Sequence, residues 1–521
     1  QHDPAADQRD AVLAGEEKRP VDTTQWGLVI GGSACDGRPP PAQTCDFGYT
    51  RAGSRDGEEG AGQSGRITIG PPPTKVVTSV GETPGLPATR GYEPPKGEAS
   101  FEGQRVKIKL PESFSSFTVA GAGRYFAFHL KEEAKIVILD VLAGKVVHEI
   151  PGMPTDGLMA GGREKLGLVF PGQKLMQRWR LDPFEREKTA PMPAKGTARR
   201  AILGEDSRGP LLVVGEDAVF VDLETMQPMK VEGQILGAMY GSAQGGTYTD
   251  AAYWNYLRMK LDGPRSIVDK FGTGQGEAGR WARLTADGSL LWSKGPNIYN
   301  ATGKRLETKW LEGCTIYATV DPRFFIAVKF AHDEQRKRAV THMHICTTAD
   351  RRIVHTIVGM EEMAPSGNTN QYNNTVYRLW GGEERFHYVP WANLIVTLAW
   401  DSDIITLEKF NLIAAQEQSG VDYLFVTSIP PVKAYRGSTF SHEMAVTSKA
   451  GEVKYTLESG PKGMALSPTG ALRWDVPSHT AETSANIIIR VNDRAGSELF
   501  HAFELVVEDA PATIIEGKAQ P

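Results

Sequence analysis

Short β-favouring runs recur along this chain at a nearly constant spacing, and that recurrence restricts the fold more than any other feature. Aligned on the run that leads into a turn, the set is Lys135–Val141, Lys174–Leu181, Asp217–Leu223, Tyr253–Met259, Asn297–Asn300, Val340–Ile345 and Ile404–Phe410, about 40 residues apart except for one longer step. Most runs are followed by a turn and another strand, as in Ala143–Ile150 and Ala349–Ile357. Several are preceded by one, such as Arg124–Phe128 or Asn393–Leu398. Four strands in about 40 to 45 residues, repeated, is the pattern of a β-propeller. The reading is all-β, with about seven blades over 101–435 and no helical period longer than a few turns.

A closed ring leaves no open sheet edge if a strand from one end of the array completes the blade at the other. Val106–Leu110 is expected to do so, with Val421–Thr427 as the alternative. The unit around Gly237–Phe271 is the least regular, and Met360–Glu384 forms a polar, Asn/Gly-rich insertion.

After Pro430 and Pro431 the texture changes to a compact series of short strands: Phe440–Ser448, Lys454–Leu457, Ala471–Trp474, Ala485–Val491 and Leu499–Val507. Residues 436–510 therefore read as a β-sandwich. The stretches Val453–Met464, Gly470–Pro477 and Ile488–Gly496, taken with Gly123–Leu130 and Gly420–Pro431, resemble exported bacterial proteins of the planctomycete type. In that group a WD40- or YVTN-like propeller carries a C-terminal Ig-like, cadherin-related module. The resemblance covers about 101–510 and implies export and this two-part fold. Its motifs are structural, with Gly460, Pro461 and Gly470 in turns and Trp474 and Met464 filling a core, so it implies no catalytic residue.

Between residues 31 and 100 roughly a third of positions are Gly or Pro, which marks 1–100 as an extended arm rather than a domain. Such an arm offsets its ordering entropy by lying on the propeller or on a neighbouring subunit. Residues 511–521 read as a tail. The chain opens on Gln1 with no charged and apolar leader, so removal of a signal segment is expected, the alternative being a boundary chosen for expression. Periplasm or cell surface is the expected location.

The apolar runs, Leu394–Trp400 among the longest, are strand-sized, so no transmembrane segment is expected, although association with the envelope is compatible. A net charge of −5, without a dense basic block, argues against nucleic acid. The four cysteines are too few to build the fold. Cys35 and Cys45 are nevertheless disulfide candidates, ten residues apart in a segment with little core of its own, whereas Cys314 and Cys346 read as buried thiols.

Candidate chemistry is sparse. His342 and His344 alternate on one strand and project to one face, so a metal could sit there with His332 or His355, although Arg336–Arg338 make the field positive and a packed or solvated face explains them as well. Asp493, with Asn492 and Glu498 or Glu508, has the texture of a Ca²⁺-binding acidic loop without the full ligand series. No cofactor is expected, Ca²⁺ being the alternative. Asp401 and Asp403 are paired carboxylates better read as turn caps than as an acid and base. Tyr248, Tyr253, Trp254 and Tyr256 form either a stacking surface or core, and Gly274–Gly279 matches a dinucleotide pattern outside any strand–helix setting, hence a loop.

The chain is expected to be a non-catalytic interaction subunit of an exported assembly, a homo- or hetero-oligomer that uses propeller faces, Ig-like module and arm as contact surfaces. The alternative is a carbohydrate- or peptide-binding or hydrolytic propeller acting at the central channel mouth.

Overall fold

Strands such as Tyr125–Leu130 and Leu394–Leu398 are buried along their whole length, on both faces. A strand of that kind needs a packed layer on each side. The computed structural model describes residues 43–48, 64–69, 92–238, 240–252, 255–272, 282–292, 297–300, 303–306, 308–333, 338–360, 363 and 384–510, and the chain divides into two units, 1–82 and 83–521. The described part of the first is an antiparallel hairpin of Gln43–Gly48 with Ser64–Ile69.

Among the described residues of the second unit, seven four-stranded antiparallel sheets follow one another, numbered here 1 to 7, over 116–151, 158–191, 200–228, 240–272, 283–306, 314–357 and 386–409. Each is a simple meander except sheet 7, whose fourth strand is Arg105–Lys109, paired antiparallel with Ile404–Lys409. The closing strand therefore comes from the Val106–Leu110 region. The alternative segment goes elsewhere, because Leu424–Val426 pairs with Val446–Ser448.

Packing closes the circle. Phe126, Phe128 and Leu139 of sheet 1 meet Leu394, Val396 and Leu407 of sheet 7, while Tyr125, Ala127 and Ile138, on the opposite face, meet Leu166 and Leu168 of sheet 2. The same alternation joins sheets 2 and 3, 3 and 4, 4 and 5, 5 and 6, and 6 and 7. Each fully buried large apolar side chain contributes about 1.5–3 kcal/mol of burial. The arrangement is a β-propeller.

Two glycines show how tightly it is drawn. A Cβ at Gly161, on the inner strand of sheet 2, would lie 1.9 Å from the Val119 carbonyl oxygen of sheet 1. At Gly144 (φ +64°) it would meet the Phe101 Cβ at 2.7 Å and its ring at 3.0 Å. Sheet 4, the unit that looks irregular in sequence, has an inner strand of two residues, Tyr240–Gly241, followed by the long strands Asn255–Asp262 and Arg265–Gly272. Of the Met360–Glu384 insertion, Met363 is buried in the core shared by sheets 6 and 7, and residues 361–362 and 364–383 lie outside the described set.

A short helix, Leu412–Ser419, leaves sheet 7, capped by the Asn411 side chain accepting from the Ala414 N–H at 2.8 Å and ended by Gly420 at φ +71°. Leu412 and Ile413 bury against sheet 6, and the Gln416 amide donates to the Val354 carbonyl of that sheet's outer strand.

The chain then enters a second all-β module. Lys433–Tyr435, Glu498–Glu508, Ser484–Asn492 and Lys454–Ser459 form one sheet, and Thr439–Glu443, Ala471–Asp475 and Ala465–Leu466 form another. Their inner faces share one core around Phe440, Leu472, Trp474, Ile487, Ile489 and Leu505. Met464 packs against that core, and Gly470 turns at φ +86° beneath the Tyr455 ring.

Candidate binding sites in the channel and at the module junction

The first strand of every sheet lines one cavity of about 660 Å³, with Thr118, Gly161, Ile202, Tyr240, Arg283, Ala318 and His387 drawn from sheets 1 to 7 in turn. The turns that follow these strands are linked by backbone hydrogen bonds: Gly121 N–H to Gly162 O, Arg163 N–H to Ser207 O, Asp206 N–H to Ala243 O and Gln244 N–H to Ala286 O, all 2.8–2.9 Å. Ala122 N–H reaches across to Glu205 O at 2.8 Å, and the Trp391 indole donates to Ala122 O at 2.8 Å. This rim is rigid by construction.

Tyr92, 4% exposed, rests on the rim. The Arg323 guanidinium lies 5.6 Å from its ring, and Arg323 is itself paired with Asp321 at 2.6 Å, both fully buried. Arg163 pairs with Asp206 at 2.5 Å and donates to Glu93 O at 2.8 Å.

The cavity wall carries titratable groups from distant sheets. Enclosure away from bulk water, then the charge of Glu384, push the Glu205 carboxyl up to about 7. Glu384 is paired with Arg283 at 3.1 Å, and the Arg283 guanidinium stacks 3.3 Å above the Tyr240 ring. Burial pulls His387 down to about 4, so its imidazole is neutral near pH 7; its ring meets Phe117 and Phe126 edge-on. Arg385 donates to Ala399 O at 2.9 Å and Ser402 Oγ at 3.0 Å. The set can exchange a proton at Glu205 near neutral pH and present hydrogen-bonding groups to an occupant.

A second cavity, about 370 Å³, lies where sheets 5 and 6 meet the second module. Leu290, Leu306, Pro430, Ile487 and Phe503 make it largely apolar, and His501, Thr348 and Arg351 reach it. The His501 Nδ1 stands 2.7 Å from Asp350 Oδ1, a buried pair that ties the module to the propeller. At the edge, Lys304 approaches Glu504 at 3.8 Å.

The residues singled out from the sequence fall elsewhere. His342 and His344 lie on Arg338–Thr347, opposite Lys329 and Ala327, and burial lowers both histidines, helped for His342 by Lys329 and for His344 by His342. His344 Nδ1 is 2.8 Å from Thr356 Oγ1. His355 pairs with Ile345, whose side chain points to the opposite face from His344, and so brings no third ligand. The His332 side chain lies outside the described residues. Among those described, no three His, Cys, Asp or Glu side chains group as metal ligands.

Asp493 accepts from Ser448 Oγ at 2.8 Å and from Ser497 N–H at 2.9 Å, one bond per carboxylate oxygen, which organises its hairpin turn. Glu508 pairs with Lys433 and Glu498 bonds Asn492. Asp403 pairs with Lys109 of the closing strand, and the Asp401 carbonyl accepts from Ser113, so both belong to the turn before Ile404–Lys409. Tyr248 and Tyr256 are core, against Phe220 and Tyr299, while Tyr253 and Trp254 lie outside the described residues, as do Gly274–Gly279. Cys314 and Cys346 are buried free thiols in the core between sheets 5 and 6. Of the Cys35 and Cys45 candidate pair, Cys35 lies outside the described residues, and Cys45 stands on the strand Gln43–Gly48 with its side chain outside them.

Glu205, Glu384, Arg283 and His387 in the channel, and Asp350 with His501 at the junction, carry no local motif and are brought together only by ring closure and module docking.

No family model matches the chain, and no curated protein matches it. Among solved structures it is similar to the β-propeller domain of Cps50 (Swd1) from Myceliophteria thermophila, at 12% identity and a TM-score of 0.39, over 59% of this chain and 98% of that one. It is also similar to a chain of the mitotic checkpoint complex, at 10% identity and 0.38, over 65% and 99%, and to Hsv2 of Kluyveromyces lactis, at 10% and 0.33, over 45% and 73%. The propeller assignment rests on the chain's own sheet order, packing and central cavity.

Proposed function

We propose that this protein is a non-catalytic interaction scaffold of an exported, multiprotein assembly at the cell envelope or beyond it, made of a seven-bladed propeller, an Ig-like module and an N-terminal arm. The observation that carries the reading is the apolar display on outer strands: Val147, Ile267 and Ile353 are exposed on the fourth strands of sheets 1, 4 and 6, and Val358 beside the last is 69% exposed. Outer strands that keep apolar side chains in water suit edge or face contacts with other subunits. The buried His501 and Asp350 pair supports a second module held fixed to the first, as a frame requires.

The test is the native mass of the complex purified from its source envelope fraction, with partner chains identified by mass spectrometry. A large stoichiometric assembly that is weakened by Ile353→Ser with Val358→Ser, and by deletion of residues 1–91, is the expected result. A free monomer in the native extract overturns the reading.

A second reading, a glycan- or peptide-binding or hydrolytic propeller, is favoured by one observation: two interacting carboxyl groups, Glu205 and Glu384, face the channel cavity together with a neutral imidazole. Glycan and peptide arrays probed with the wild type and with Glu205→Gln decide it, a signal lost in the variant supporting this reading and identical signals excluding it.

A further inference from the structure

The junction cavity holds polar atoms that the fold leaves unsatisfied. His501 is fully buried and Thr348 is 3% exposed; the His501 Nε2 and the Thr348 Oγ1 have no hydrogen-bond partner among the described residues, and both residues line the cavity. Buried polar atoms are normally satisfied, because leaving one unpaired forfeits its hydration without return. Arg351 lines the same wall, at φ +55° in the turn between the third and fourth strands of sheet 6. Its guanidinium makes one long contact, 3.4 Å to Ala349 O, and has no carboxylate partner among the described residues. The neighbouring Asp350 carboxylate is engaged by His501 through Oδ1, its buried Oδ2 having no hydrogen-bond partner among the described residues. Burial lowers the Arg351 pKa, and the nearby Asp350 charge offsets that only in part.

The chemistry of the missing partner follows. With Nδ1–H directed at Asp350 by the 2.7 Å contact, that tautomer leaves the His501 Nε2 lone pair facing the cavity. Arg351 offers donors suited to a carboxylate, and Thr348 a hydroxyl. The rest of the wall is apolar, and about 370 Å³ lies within the ordinary range of small-ligand sites, about 300–1,000 Å³, which favour such inter-domain positions.

We propose that this cleft binds a small organic acid, its carboxylate on Arg351 and Thr348, a hydroxyl or amide N–H beside that carboxylate donating to His501 Nε2, and its apolar body against Leu290, Pro430, Ile487 and Phe503. Because sheets 5 and 6 supply one wall and the second module the other, the bound acid bridges the two modules.

The experiment is isothermal titration of the full chain with N-acetylphenylalanine, N-acetylleucine and 2-hydroxy-4-methylpentanoate, each beside its methyl ester. At least one acid is expected to bind saturably, its ester at least about tenfold more weakly, Arg351→Met to lose about tenfold or more, and Thr348→Val about threefold. Arg494→Met, on an exposed turn of the second module away from the cleft, should bind as the wild type. Binding by none of the three acids, equal binding of acid and ester, or an Arg351→Met chain that folds and binds like the wild type overturns the proposal. If Arg351→Met does not fold by thermal unfolding, the ester comparison on the unaltered chain and Thr348→Val decide.

Discussion

The propeller and the second module solve the same problem, burying β-strands, in opposite ways. In the propeller, middle strands such as Tyr125–Leu130 and Leu394–Leu398 are buried on both faces and each sheet serves two cores. In the second module, Ala471–Asp475 and Ser484–Asn492 alternate buried with exposed positions, and one core serves both sheets. The difference teaches where each is vulnerable. The ring distributes its burial over the interfaces between successive sheets and depends on closure, whereas the module concentrates its burial around Trp474.

The largest expected effect breaks closure. Deleting residues 1–110 removes the fourth strand of sheet 7 and exposes its edge, so the cooperative calorimetric transition of the propeller should vanish while deletion of 1–91 leaves it in place. A ring that unfolds normally without its closing strand would show that packing alone holds sheet 7.

Next comes the contrast in cores. Trp474→Ala and Phe126→Ala should each cost about 3–5 kcal/mol, as deletions of large buried aromatics do. In the module that loss should remove its unfolding transition, whereas the propeller should remain folded with a lowered midpoint in differential scanning calorimetry. Gly161→Ala, which drives a Cβ onto the Val119 carbonyl, should cost about 1–3 kcal/mol in chemical denaturation and act on the propeller alone.

The channel adds a pH-dependent comparison. Glu205 sits at about 7 in the folded protein against its ordinary 4.5, so the native state holds the extra proton and stability falls as pH rises from about 4.5 to 7. His387 sits at about 4 against its ordinary 6.5, so the unfolded chain holds the extra proton and stability rises from about pH 4 to 6.5. The two trends oppose one another where they overlap. Glu205→Gln should uncover the rise, and His387→Gln the fall, each by up to about 1.4 kcal/mol per pH unit in denaturant titrations. Parallel pH profiles for both variants and the wild type would contradict this assignment. The smallest effect is expected at Arg494→Met, where an exposed ion pair with Glu452 should contribute less than about 1 kcal/mol.

Much of this division was legible in the residues. The 40-residue spacing of runs such as Lys135–Val141 and Lys174–Leu181 reports a blade-sized unit, and the alternation in Ala485–Val491 reports a strand with one dry face. Val106–Leu110 announces itself as a β-run with no partner nearby. The sites were not legible, because Glu205 follows the first strand of sheet 3 while Glu384 precedes that of sheet 7, and Asp350 meets His501 across 151 residues of sequence. Conversely, His342 and His344 are conspicuous in sequence only because strand geometry sets two histidines on one face; the third ligand has to come from register, and His355 opposite Ile345 is out of phase.

The closing strand also has a consequence in time. Arg105 meets Glu408 across 303 positions, so sheet 7 cannot be completed until nearly the whole array has left the ribosome. At about 5–20 residues per second that is a wait of about 15 to 60 s. Throughout it Arg105–Lys109 is an unpaired edge-seeking segment, with two lysines and an arginine among its five residues to discourage the wrong neighbour. Closure is thus the last step in making the ring, and only the second module, which follows sheet 7 in the chain, has still to be made.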